Sequence, residues 1–190
     1  RLKLQATAVA LVLGCGIAIF VMATGMYDSL ERARDTYYTR HRMADLEAAL
    51  VRAPRAVGAD LATIPGIAAL ELRATGLGLA SFTGSLEPLS VRIVSLPRDR
   101  APRVDGLVLL RGRWPATDGR DEALINEAFA DANDLIPGKT LTVVVKGRRR
   151  TLQIVGIASS PEFVFAIAPG ELLPEPERFG VLWMPNAEAS

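Results

Sequence analysis

The sequence is poor in the residues that most often carry chemistry. It holds one cysteine, Cys15, and one histidine, His41. A single cysteine excludes an intrachain disulfide and a cysteine-rich zinc site, and a lone thiol suits an oxidising or a reducing compartment equally. Charge of one sign is also missing. Lys and Arg number 22 against 21 Asp and Glu, a net charge of +1, so there is no bulk electrostatic drive toward nucleic acid. No repeat of 20–50 residues runs through the chain.

What is present is apolar. Hydrophobic residues make up 49% and charged ones 23%, which excludes disorder and describes a chain able to bury a core. The mean hydropathy of +0.23 is high for so ordinary a charged fraction, so the apolar residues must be unevenly spread. The length suits one domain. The chain opens at Arg1 without a methionine and is expected to be a piece of something longer.

The unevenness sits at the front, where residues 6–26 carry no charge. A helix rising 1.5 Å per residue crosses the roughly 30 Å hydrocarbon core with about 20 residues, so this stretch is long enough. The hydroxyls of Thr7 and Thr24 can bond back to helix carbonyls, and Tyr27 follows where an amphipathic ring suits the headgroup layer. A cleavable signal peptide ending at Val21-Met22-Ala23 is the rival, but signal apolar regions run about 7–15 residues and this one is longer. Arg1 and Lys3 precede the span, while Asp28, Glu31, Arg32, Arg34 and Asp35 roughly cancel after it. The positive-inside rule then puts the N-terminus in the cytoplasm and the rest outside. Ala6, Ala10, Gly14 and Ala18 recur every four residues, a face on which another membrane helix could pack closely, although small residues are common in such helices anyway.

Helical features continue beyond the span. Tyr27, Leu30, Tyr37 and Tyr38 fall roughly on one side and residues 31–35 supply a polar one. The expectation is a flank at 1–5, a membrane helix at 6–26, a helical stalk at 27–43 reaching unbroken to about Arg40, and an extracytoplasmic domain over 44–190 that is expected to be incomplete. Leu30, Arg34, Tyr37 and Tyr38 are the expected coupling residues of the stalk.

Residues 44–52 favour helix by propensity. A short helix from Arg55 to about Ile64 ends at Pro65-Gly66. Strands are expected at 68–82, at 89–96 with Arg92 and Val94 on a wetter face, and at 107–110. A brief strand at 123–126 precedes a helix at 127–135. Residues 140–146 and 149–157 flank Gly147 as a hairpin. Phe163, Phe165 and Ile167 alternate as a strand, and 179–184 reads as a buried one. The fold class is α+β, with short elements after the membrane helix.

Chemistry is mostly absent. Pro137-Gly138-Lys139-Thr140 imitates the end of a phosphate loop, but Asn133 replaces the required glycine and a strand follows instead of a helix. Asp131, Asn133 and Asp134 imitate a calcium loop, yet Leu135, Ile136 and Thr142 occupy ligand and turn positions. His41 lacks a serine elbow to serve, and Ser159-Ser160 before Pro161 reads as a turn. Arg148, Arg149 and Arg150 read as a solvated hairpin tip without the aromatics a nucleic acid would stack on. Asp118, Asp121 and Glu122 crowd one solvated loop. No active site assembles, so the chain is read as one that binds or transmits, with no enzyme activity, cofactor or metal of its own.

Several stretches together resemble the periplasmic core region of MacB/FtsX-like ABC transporter permeases. They are the anchor running into Tyr37-Tyr38, Ala44-Asp45-Leu46, Arg52-Ala53-Pro54, Ile64-Pro65-Gly66-Ile67 and Gly112-Arg113-Trp114-Pro115. They continue through residues 122–130, Pro137-Gly138-Lys139, Ile154-Val155-Gly156-Ile157, Ser160-Pro161-Glu162-Phe163 and residues 179–184. The resemblance covers essentially the whole chain. It implies a first transmembrane helix of an inner-membrane permease, an extracytoplasmic α+β domain and three further transmembrane helices beyond Ser190. It would also make 44–52 a first strand. ATP would bind a separate ABC ATPase subunit, and the expected partners are that subunit, further permease helices, a second permease copy, the lipid bilayer and a periplasmic accessory protein. The permease would carry ATP-driven movement to substrate or an envelope partner. A single-span anchored binding or sensor module is the reading from another class.

Overall fold

A computed structural model describes residues 2–54, 56–85, 87–97, 101–116, 119 and 121–185. The features read from Arg55, Asp118 and residues 186–190 lie outside it. The chain divides into two compact units, Arg1–Arg40 and His41–Ser190.

The first unit is one unbroken helix, α1 (Leu2–Arg40), long and apolar enough to cross a membrane by length and composition. Its 39 residues extend about 58 Å at 1.5 Å per residue. Thr7 Oγ1 donates to Lys3 O at 2.9 Å and Thr24 Oγ1 to Phe20 O at 3.0 Å, so neither hydroxyl is left for lipid to face unpaired. Past the apolar stretch the surface is laced by local pairs such as Asp28–Arg32.

In the second unit the lead-in, residues 43–54, is irregular and largely exposed. It is neither the helix its alanines favour nor the strand the resemblance implies, because no neighbouring edge pairs with it and helix propensity alone does not stabilise so short a piece. The helix α2 (Ala56–Ala62) follows. Its Gly58 lets Leu72 approach, since a Cβ there would lie 2.5 Å from Leu72 Cδ1.

Seven strands form one sheet: β1 (Thr75–Ser81), β2 (Leu89–Leu96), β3 (Val108–Gly112), β4 (Glu122–Asn126), β5 (Thr140–Val145), β6 (Arg148–Ser159) and β7 (Phe179–Pro185), with α3 (Glu127–Ala132) after β4. The order is β3-β6-β4-β7-β2-β1-β5, and β5 pairs back onto β6. Six strands therefore close into a barrel, with β3 alongside. The long β6 makes closure possible. Along one edge its first half pairs with β5 and its last residues with β3, while β4 takes the other edge. Pairs β2–β7 and β4–β6 are parallel, the others antiparallel.

Alternation along the strands produces two cores. One holds Val91, Ile125, Leu141, Leu152, Ile154 and Leu182, with Phe129 of α3 at its centre. The Phe129 ring lies where Gly180 has no side chain; a Cβ there would be 2.6 Å from the ring. The other holds Val94, Leu124, Val155, Phe179, Val181 and Trp183, with Phe163 packed against it. The β4–β6 register skips Val155, pairing Ala123 with Ile154 and Leu124 with Gly156. That bulge lets Ile154 and Ile157 share one core while Val155 and Ala158 share the other. Buried Asn126 mends the β4–β7 seam by accepting from Val181 N at 2.8 Å.

Several expectations are corrected by this packing. The stretch 68–82 is a strand only over Thr75–Ser81. Val94 is not on a wet face: it lies 1% exposed in the second core. α3 stops at Ala132 because Asn133 bonds back to Phe129 O and Asp134 turns left-handed at φ +51. Phe163, Phe165 and Ile167 are not a strand. Ser160 and Pro161 start a 3-10 turn over Pro161–Phe163, whose Phe163 packs edge-on to Trp183 while Phe165 is 72% exposed. The hairpin forms as read, and its turn places Lys146 at φ +49 and Gly147 at φ +78, the left-handed pair that matches strand twist.

Candidate functional site

Where the chain leaves α1 it turns, with Arg42 at φ +50, and the next residues are fastened by one loop. Gly106 N donates to His41 O at 2.8 Å and Asp105 N to Arg42 O at 2.9 Å. Ala44 N donates to Asp105 Oδ1 at 2.9 Å. A side chain at 106 would crowd this approach, since its Cβ would lie 3.2 Å from His41 O. Asp105 adopts φ +51, a conformation that Asp tolerates better than most residues. Its side chain is only 3% exposed, and a buried carboxylate needs a partner.

Arg73 is that partner. Its Nη2 lies 3.1 Å from Asp105 Oδ2 and its Nη1 2.5 Å from Glu162 Oε2, a use of the guanidinium fork that a lysine could not copy. Arg73 is itself positioned by its neighbour: Ala74 N donates to Ser95 Oγ at 2.8 Å, and Ser95 N to Ala74 O at 2.9 Å. Glu162 is presented by the 3-10 turn, where Ser160 Oγ accepts from Glu162 N. One buried cluster therefore holds the lead-in, the chain before β1, the loop before β3 and the turn after β6.

Burial pushes the Glu162 carboxyl above its ordinary range, Arg73 pulls it back, and the charges of Glu47 and Asp105 push the same way as burial. Among the described residues no group of His, Cys, Asp and Glu could hold a metal ion. The cluster ties segments together. A shallow apolar cleft lined by Leu96, Pro102, Trp114 and Pro185 has no titratable side chain among its described lining residues.

A second fastening sits at the expected carboxylate loop; it corrects the solvated reading for Glu122, while Asp121 stays exposed. Arg113 Nη1 donates to Glu122 Oε2 at 3.0 Å and Nη2 to Glu122 Oε1, while Ala116 N donates to Oε2 at 2.7 Å. The Arg113 hydrogen bond holds the Glu122 carboxyl below the usual range. Asp121 pairs with Arg150 at 3.0 Å, so the third arginine of the basic run is tied down. Gly112 makes room for this corner at φ +83; a Cβ there would lie 2.3 Å from Val155 O.

The expected helix residues do not gather into one site. Ala6, Ala10, Gly14 and Ala18 are exposed along α1, and Leu30 is 68% exposed. Arg34 Nε and Nη2 bond to Asp35 Oδ1 at 2.9 and 2.8 Å. Tyr37 and Tyr38 are half-buried with ring centroids 5.9 Å apart. Sequence reading missed Arg73, Asp105 and Glu162. The usable signals were an arginine set in the apolar run before β1, and Ser160-Pro161-Glu162, which is a helix-start pattern as well as a turn.

The sequence matches the family described as MacB-like periplasmic core domain over residues 6–185. The chain belongs to that family. It is thus a MacB/FtsX-like ABC transporter permease component, a membrane protein with an extracytoplasmic domain, and permeases of this kind work with an ATPase and with other permease elements. No curated protein matches the sequence significantly. Among solved structures the chain is similar to the extracellular domain of a noncanonic ABC-type transporter, YknZ, from Gram-positive bacteria. That match has 14% identity and a TM-score of 0.44, covering 76% of this chain and 70% of the other.

Proposed function

We propose that α1 and the clamp around Asp105 transmit ATP-driven movement across the bilayer to the extracytoplasmic domain, and from it to substrate or an accessory envelope protein. One observation carries the reading: an unbroken helix ends at Arg40, and the very next residue, His41, is already fastened by Gly106. A rigid helix can pass displacement along its length, and a slack junction would dissipate it. In this reading the chain does no chemistry and holds no cofactor, because ATP is bound and hydrolysed by a separate ABC ATPase subunit. The face of Ala6, Ala10, Gly14 and Ala18 packs against further permease helices, where small residues let backbones approach. A second permease copy completes the transporter in the inner membrane. Leu30, Arg34, Tyr37 and Tyr38 carry the stalk.

A proline in place of Glu31 tests this, since it removes one helix hydrogen bond and costs about 3 kcal/mol at the kink. ATP hydrolysis should persist and the domain stay folded while transport is lost. Transport that survives with its coupling to hydrolysis unchanged overturns the mechanical reading.

A further inference from the structure

The clamp carries more acid than base. Asp105 and Glu162 share the single guanidinium of Arg73, and Glu47 lies close enough to act on Glu162. The two shared carboxylates are not equivalent. Asp105 accepts Ala44 N on one oxygen and Arg73 on the other, so both acceptors serve only while it is ionised. Glu162 receives Arg73 on Oε2, and a protonated carboxyl keeps one oxygen that can still accept that bond. Glu162 is therefore the member that can take a proton without breaking the cluster.

We propose that the Glu162 arm is a proton-tightened latch, seated while its carboxyl holds a proton and loosened when the proton leaves. The physical drive is desolvation together with repulsion. Closed, the ionised carboxylate is part-buried facing Asp105 and Glu47 with one arginine to share; open, it returns to water. Its raised proton affinity when seated has that origin. The charged groups around it are Arg73 before β1, Asp105 before β3 and Glu47 in the lead-in; on β2, Arg92 covers the Phe163 ring at 5.9 Å. Because the seated turn binds the proton more tightly than the open one, its closure is fully present in acid and is lost as pH rises through the raised Glu162 value. An acidic exterior stiffens the joint. The inference rests on reading the clamp as that joint.

The test is hydrogen exchange on the intact permease with its ATPase in lipid nanodiscs, followed from acid to mildly alkaline pH. After correction for intrinsic exchange, the opening ratio of amides 162–168 should rise with pH, by up to about tenfold per pH unit for a single proton. Glu162→Gln keeps the Arg73 bond without the charge, so its ratio should stay flat at the acid level. A flat wild type overturns the latch. So does an E162Q protein that keeps the slope, which would assign the titration to another group. Should E162Q fail to fold, Glu47→Gln decides: a smaller rise supports the latch and an unchanged rise overturns it. Exchange needs no transport, so a failed latch leaves the Glu31 proline test of coupling standing, and the reverse holds as well.

Discussion

α1 and the barrel are built on opposite principles. The hydrogen bonds of Thr7, Thr24 and Arg34 along α1 are local, four residues apart or fewer, and the helix holds no buried residue. The barrel is held by pairings distant in sequence, such as Ser90 with Phe179 and Glu122 with Gln153, and its cores are sealed below a few per cent exposure. The helix needs its solvent to be lipid, whereas the barrel makes its own interior. Helix integrity and domain integrity should therefore fail separately, with the border in the chain after Arg40.

Phe129→Ala should produce the largest break in that comparison. Phe129 is fully buried beneath Gly180, and removing such a ring typically costs 3–5 kcal/mol. The near-ultraviolet signal of Trp183 should melt early while the far-ultraviolet helical signal of α1 persists; a single shared transition would show that the two regions are one cooperative body. Asp105→Ala should come next, at about 2–3 kcal/mol, because Ala44 N and Arg73 lose a buried acceptor. Its signature is local: exchange at Ala44 should accelerate while strand amides of β4 and β7 stay protected. Equal acceleration throughout would erase the border.

Glu122→Gln should be the smallest effect. Glu122 is 16% exposed, but its partner Arg113 is 57% exposed, so solvent screens the pair and little stability is at stake. The depressed Glu122 value means that its contribution is present at neutral pH and lost as pH falls through that value. Denaturant midpoints of wild type and variant should thus differ at neutral pH and converge in acid. A gap that widens in acid would reverse the sign.

Much of the fold was legible because its signals are local. The uncharged run 6–26, the Lys146-Gly147 turn between valine- and leucine-bearing strands, and the apolar stretch 179–184 each state their structure within a few residues. Phe163, Phe165 and Ile167 misled for a physical reason. Alternation is necessary for a half-buried strand but does not supply a neighbour, and here Ser160 and Pro161 had already committed the backbone to a turn. The lead-in misled likewise, since helix formers without a face to pack on stay irregular. The clamp was illegible because Arg73, Asp105 and Glu162 come from three loops, and only barrel closure brings them together. Local signals mark Arg73 and the turn carrying Glu162, but nothing near either of them points to the other or to Asp105.

The sheet order also fixes a schedule for the newborn chain. β1 can pair at once with β2, but β2 waits for β7, the last strand among the described residues, and β1 waits for β5. β6 must arrive before β3 or β4 has a partner, whereas β5 meets β1 as soon as it is made. Residues 89–96 therefore stay open on one flank while nearly ninety more residues are synthesised, and such exposed strands invite aggregation. A ribosome stalled just before Phe179–Pro185 should therefore display a stickier β2 flank, with a greater demand for holding factors, than one stalled beyond that strand.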